Sequence, residues 1–457
     1  MLLLADGPTI DTGNTAWLLA STALVLLMTP GLALFYGGLN RSKSVLNMMM
    51  MSFSCIGLIS VLWLVYGFSI SFGTNDNASV NNVLGSFTQY LGNKTFATEL
   101  WGTTGIPTYV VLAFQMMFAI ITVALISGAI SDRAKFSGWL LFAFGWFTIV
   151  YVPVAHSIWG GGWIGAHLGA LDFAGGTAVH INAGSAALGL ALVLGKRVGW
   201  KGGFKPHNVP FVALGAGLLW FGWFGFNAGS ELTADNLTAL AFVNTQVATA
   251  AGFLGWIIVE WLRRNGRPTM VGGSSGAVAG LVAITPACAY IAPYAATLLG
   301  LVAGAVCALA VSVKYKLGFD DSLDVVGVHF TGGWIGSLWI GLFGSGAISS
   351  YVKHDGLFYG GGVNQLGRQA LASGLVSVFS FSVAWLIGTA IEKTIGFRAT
   401  QEVEVDGIDV AEHAESAYEF APTGGGGGGA FAMAGVGAPK QSTPAPAEEP
   451  VSEKVAG

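Results

Sequence analysis

The chain has 457 residues, 53% hydrophobic and only 10% charged, where a soluble domain carries about 25% charged residues, so it is not an ordinary soluble enzyme. A formal net charge of −4 gives no pull toward nucleic acid or another polyanion. Apolar runs of bilayer-spanning length recur without the alternation of a lipid-facing β-barrel, and they mark a multi-span helical membrane protein.

Residues 1–13 lack the basic start and small-residue cleavage pattern of a signal peptide and read as a short outer lead-in. Eleven transmembrane helices are then predicted, over 14–36, 47–73, 106–129, 138–155, 176–195, 209–229, 239–262, 271–289, 293–314, 324–347 and 368–391. The stretch 156–175, apolar but rich in Gly and Trp, is expected to fold back near the surface. The 68 glycines read as sites of close helix approach. Cys55, Cys288 and Cys307 lie in apolar segments without a metal or redox motif and read as small core residues.

Basic residues orient this all-α array. With the N-terminus outside, the cytoplasmic side holds fifteen: Arg41, Lys43, Arg133, Lys135, Lys196, Arg197, Lys201, Lys205, Arg263, Arg264, Arg267, Lys314, Lys316, Lys393 and Arg398. The outer side holds Lys94, Lys353 and Arg368. That bias predicts N-terminus out and C-terminus in, with 14–398 as one membrane domain. From Ala399 the composition turns acidic; 399–420 could dock on the cytoplasmic face or bind a partner. Residues 421–457, with six consecutive glycines at 424–429 and an Ala/Pro/Glu-rich end, are expected to be disordered.

A weak internal repeat carries more. Val179-His180 is followed by Ala183-Gly184, and Val328-His329 by Gly332-Gly333; Asp172 and Asp324 lie upstream, each with a Gly three residues on. If spans 1–5 and 6–10 are equivalent, their odd helix number makes the repeat inverted and lets His180 and His329 meet near the midplane. Two neutral imidazoles can share one hydrogen bond and line a path without a fixed charge in hydrocarbon. No third ligand for zinc stands nearby in the sequence, so no metal or cofactor is expected. Asp172 either caps the helix starting near Gly175 or contacts a cation directly. Two aromatic clusters, 155–163 with Trp159 and 222–230 with Trp223, Phe226 and Ser230, fall on the same side, where indole and phenyl faces attract cations and a hydroxyl can accept from one. Phe118 lies in the third span, and each aromatic taken alone reads as packing.

The segment Asp172-Phe173-Ala174-Gly175-Gly176-Thr177-Ala178-Val179-His180-Ile181-Asn182-Ala183-Gly184, continuing to Gly195-Lys196-Arg197, resembles the signature of the ammonium transporter/methylammonium permease/Rhesus (Amt/Mep/Rh) family, its bacterial ammonium transporter branch in particular. Pro30-Gly31 through Gly37-Gly38, 223–230, Thr285-Pro286-Ala287-Cys288 and 324–329 support it, over about residues 14–420.

The resemblance implies a homotrimer with one pore per subunit, carrying ammonium or ammonia, with methylammonium as an analogue. It implies ammonium recruitment by Trp159 and Ser230, supported by Asp172; a stacked aromatic gate of Phe118 and Phe226; a pore lined by Trp223; and twin histidines in His180 and His329. It also implies a PII-type nitrogen-signal protein at the cytoplasmic exit and a regulatory segment over 409–418, including Asp409, His413, Glu415 and Tyr418. Phe330 departs from the family pattern, where a smaller residue is common, and either narrows the pore or alters packing. Ala414 stands where Gly is frequent. The same residues also suit an uncharged ammonia channel or an ammonium sensor signalling through its tail. A membrane enzyme is disfavoured, since no nucleophile, base and orienting group stand together.

Overall fold

The computed structural model describes residues 9–91, 99–263 and 266–418, save the side chain at position 201. Positions 1–8 of the lead-in, Lys94, Arg264 and the expected disordered tail lie outside these residues. The chain divides into a unit ending at Ala417 and a second unit, Tyr418–Gly457.

Ten helices among the described residues are long and apolar enough to cross a membrane. In chain order, with one shorter helix included, they are α1 (Thr12–Leu39), α2 (Val45–Phe72), α3 (Thr108–Ile130), α4 (Phe136–Leu168), α5 (Gly176–Leu194), α6 (Val209–Glu231), α7 (Asn236–Arg263), α8 (Met270–Ile284), α9 (Pro293–Leu317), α10 (Val326–Phe343) and α11 (Asn364–Thr394). Two short helices follow, α12 (Gln401–Asp406) and α13 (Ile408–His413).

The helix limits follow cap chemistry more than hydropathy. Asp11 accepts the Asn14 N–H at 2.8 Å, so α1 starts inside the expected lead-in. Asn208 accepts from Phe211 N at 3.0 Å, with Pro210 in the first turn of α6. Thr269 caps α8, which stops at Ile284 just before Pro286, a residue without the N–H that a continuing helix needs. At 15 residues α8 is about 22 Å long, so the expected span 271–289 ends in a turn. In α4 the helical path runs beyond residue 155, and His156, expected near the surface, is fully buried, its ring nitrogens 3.0 Å from Ser71 O and 2.7 Å from Asn81 O. A two-stranded hairpin, β1 (Leu100–Trp101) with β2 (Ile106–Pro107), adds a small extended element to the otherwise helical chain.

Close approach explains part of the glycine content. α7 packs on α8 and α9, and a Cβ on Gly304 would sit 2.1 Å from Gly252 O, so only a hydrogen fits there. α1 packs along α6, and α11 along α5.

One end of the bundle gathers charge. Arg197 binds both carboxylate oxygens of Asp320 at 2.9 Å and reaches Asp132 at 3.2 Å. Arg133, fully buried, donates to Asp320 O and Ser322 Oγ, both at 2.6 Å. Burial alone would push the Asp320 carboxyl up, but the hydrogen bonds from Arg197 and the charges of Arg133 and Arg197 hold it below its ordinary value. We call this the basic end.

Candidate functional site

The geometry starts at two helix N-termini. Asp172, buried, accepts four backbone N–H groups: Gly175 and Gly176 at 2.8 and 2.6 Å on one oxygen, Thr177 and Ala178 at 2.8 and 2.9 Å on the other. Both oxygens are thereby spent on the orphan donors of α5, which favours the capping role left open by the sequence. Burial lifts its carboxyl above the ordinary range although these four bonds pull it down. In the second half the equivalent group is Asp321, not Asp324: Asp321 accepts Val325 N at 3.0 Å and Val326 N at 2.7 Å at the start of α10. Asp324 instead pairs with Lys314 at 2.6 Å. The expected pairing of Asp172 with Asp324 is corrected accordingly.

These two helices carry the histidines. Each lies in a widened, π-type turn, 176–181 and 326–330, the kind of helix irregularity that collects at functional sites. α5 and α10 cross closely because Gly184 has no side chain: a Cβ there would lie 2.6 Å from Phe330 N. His180 and His329 thus meet through their Nδ1 atoms at 3.3 Å, ring planes 25° apart. One nitrogen must donate and the other accept, so at least one imidazole is neutral. His180 Nε2 is buried with no hydrogen-bond partner among the described residues. The pair lines a narrow void whose other walls are apolar, including Leu32, Ile121, Val179 and Leu219. Trp223 lines it too, stacked on His180 at 5.4 Å and anchored by its indole N–H on Thr285 Oγ1 at 2.9 Å. Phe330 is not among the residues that line this void; it lines a separate cavity with Leu188 and Lys314.

At the end of this void away from the basic end, Phe226 and Phe118 stack with centroids 4.1 Å apart and planes at 20°. Both rings are fully buried and separate the void from a wider chamber of about 190 Å³. Trp159 and Ser230 both line the chamber. Trp159 donates its indole N–H to Asp172 O at 2.8 Å, so the capping loop also aims this ring. Ser230 donates to Phe226 O at 2.8 Å, which leaves its lone pairs to accept. Phe72, Trp101, Gln115 and Phe173 also line the chamber and escaped the sequence reading. Gln115 Oε1 is buried with no hydrogen-bond partner among the described residues. Phe173 stands within the signature segment without a role of its own, and no motif marks Phe72, Trp101 or Gln115.

At the basic end the tail returns to the bundle. Asp409 accepts Leu46 N at 3.0 Å and Asn47 N at 2.8 Å, capping α2. Its neighbour Glu412 accepts Phe136 N at 3.0 Å, capping α4. His413 Nε2 lies 3.0 Å from Asn47 Oδ1 and its ring packs edge-on against Phe136. Glu404, which the sequence did not flag, is buried between Arg398 at 2.8 Å and Val198 N at 2.5 Å. Glu415 is exposed, and Tyr418 belongs to the second unit. Ala414 has φ of 54°, a left-handed conformation that explains why glycine suits this position.

A family model described as the Ammonium Transporter Family matches residues 16–418. The chain is 54% identical to an ammonium transporter of Mycobacterium tuberculosis, covering 91% of this chain and 92% of that protein. It is 46% identical to an ammonium transporter of Bacillus subtilis, covering 90% and 99%. Among solved structures, Mep2 of Saccharomyces cerevisiae superposes with a TM-score of 0.79 at 33% identity over 86% of this chain and 89% of that one. A sensor Amt protein superposes with a TM-score of 0.80 at 29% identity over 88% and 98%.

Proposed function

The chain belongs to the ammonium transporter family, and we propose that it moves ammonium across the cell membrane by stripping it of a proton at an aromatic gate and passing neutral ammonia along a histidine-lined conduit. The observation that carries this reading is the imidazole pair at 3.3 Å, at least one ring of it neutral, in an otherwise apolar void beside the stacked Phe118 and Phe226. Intact ammonium in that void would lose its hydration without a countercharge, at a cost of tens of kcal/mol by Born solvation. Ammonia avoids this cost, and the imidazole nitrogens give it hydrogen-bond partners. Potassium and sodium have no proton to lose, so chemistry excludes them where size alone would not.

The chamber is the recruitment site in this reading. Trp159, Phe118 and Ser230 gather the cation there, while Asp172 acts through position by holding the start of α5 and the Trp159 indole. The positive-inside bias sets the chamber outside and the basic end in the cytoplasm. On that topology α8 with its following turn counts as an eleventh crossing, the two histidine halves form an inverted repeat, and α11 stands outside it. Paired Asp caps and paired π-type turns at His180 and His329 support the repeat. The assembly is a homotrimer by family likeness. The tail serves as a regulatory arm, since Asp409 and Glu412 cap two membrane helices, and a PII-type signal protein fits the cytoplasmic face that it occupies.

The test is uptake of labelled methylammonium into proteoliposomes. Unlabelled ammonium should compete and potassium should not. Replacing both His180 and His329 with Leu should abolish competition-sensitive uptake, and full retention would overturn the histidine conduit.

A further inference from the structure

We propose that Trp101 is a further substrate-recruiting residue, an indole that faces the outer chamber together with Trp159 and sets the affinity for the arriving cation. The inference rests on the ammonium-transport reading and extends its recruitment site by a residue from a different part of the chain.

Trp101 lines the same chamber as Trp159, Phe118 and Ser230. It is only partly buried, so some of its surface is left for the chamber after packing. Its position is fixed, although it sits in the connection between α2 and α3. Leu100 and Trp101 pair with Pro107 and Ile106, and the turn between the strands is held by Thr104, which donates its N–H and hydroxyl to Trp101 O at 3.1 and 2.7 Å. The turn is tied in turn to the start of α1, where Asp11 N donates to Gly105 O at 2.9 Å and Asn14 Nδ2 to Thr104 O at 2.8 Å. Phe68 and Phe72 pack against the indole at 6.0 Å each, the second edge-on. A side chain anchored on three sides loses little further freedom when a ligand arrives.

The chamber's lining suits a cation. It has no basic side chain; its polar members are the Gln115 amide, with an unpartnered buried oxygen, and the Ser230 hydroxyl, and its other walls are aromatic or aliphatic. An indole is the strongest of the aromatic faces for a cation, and Trp101 and Trp159 bring two of them to one chamber. Trp101 does not line the histidine void, so it acts on capture and not on passage.

The experiment compares the full-length chain with Trp101→Leu and Trp101→Phe, reconstituted in proteoliposomes, with uptake recorded across a series of ammonium concentrations. Trp101→Leu should raise the half-saturating concentration about three- to tenfold while maximal uptake stays within about twofold. Trp101→Phe, which keeps an aromatic face on the same hairpin, should stay within about twofold of the unsubstituted chain. An unmoved half-saturation in Trp101→Leu, a loss confined to maximal uptake, or equal damage by Leu and Phe would overturn the inference while leaving ammonium transport standing. Absence of uptake by the unsubstituted chain would overturn the transport reading, and this one with it.

Discussion

Asp172 and Asp321 hold the same post in the two halves of the chain. Each stands eight residues before its histidine, His180 or His329, and each spends its carboxylate on backbone N–H groups at the start of the helix that carries it. The imidazoles are therefore positioned by caps that do not themselves line the void between them.

Removing a cap should tilt or fray the histidine helix. Asp172→Ala leaves four N–H groups without their acceptor and should cost roughly 2–4 kcal/mol of stability along with most transport. Asp172→Asn retains one acceptor oxygen and should fall between. Thermal unfolding in detergent, read beside methylammonium uptake, checks both, and Asp321→Ala should behave in the same direction.

The crossing at Gly184 leaves no room for a methyl group. Gly184→Ala puts a Cβ 2.6 Å from Phe330 N, which forces α5 and α10 apart and should cost about 1–3 kcal/mol. Uptake should fall more than the shift in melting temperature implies, because the same displacement opens the 3.3 Å contact between His180 and His329. A well-folded Gly184→Ala protein with full uptake would refute this.

The basic end should be acid-sensitive in a defined direction. The Asp320 carboxyl is held below its ordinary value, so its charge contributes stability that is complete above the ordinary aspartate pKa of about 3.9 and is lost as pH falls through the lower folded value. Asp320→Asn breaks a buried pair with Arg197 and should cost about 3 kcal/mol at neutral pH. Melting curves of the two proteins should converge as the pH drops below about 4.

The left-handed Ala414 sets a modest strain at the end of α13. Ala414→Gly should relieve up to about 1 kcal/mol and make the docked tail more resistant to limited proteolysis. Unchanged or faster cleavage would speak against strain at this position.

Much of the scaffold is legible because hydrocarbon imposes a simple rule: apolar runs of sufficient length become helices, and apart from the longer α4 and the shorter α8 the helices fall where the runs do. Their limits were less so, since Asp11 and Thr269 decide them by single hydrogen bonds that hydropathy does not register. The histidines stood out because a titratable residue in an apolar span is rare. The weak repeat aligns Asp172 with Asp324 in sequence, but the Asp324 side chain turns to Lys314 and Asp321 does the capping. Trp101 and Gln115 were invisible for another reason: a chamber is made by distant segments, and nothing local to either residue records that the others will arrive. His156 likewise finds its partners in Ser71 and Asn81, far off in the chain.

Electrical recording from proteoliposomes, with ammonium and potassium applied in turn at equal concentration and driving force, tests the central claim most directly. Shedding of a proton at the Phe118–Phe226 gate predicts transport of the nitrogen solute with no potassium current, and loss of any ammonium-evoked current when His180 and His329 are both replaced by Leu. Potassium current comparable to that of ammonium through the unsubstituted protein would contradict it.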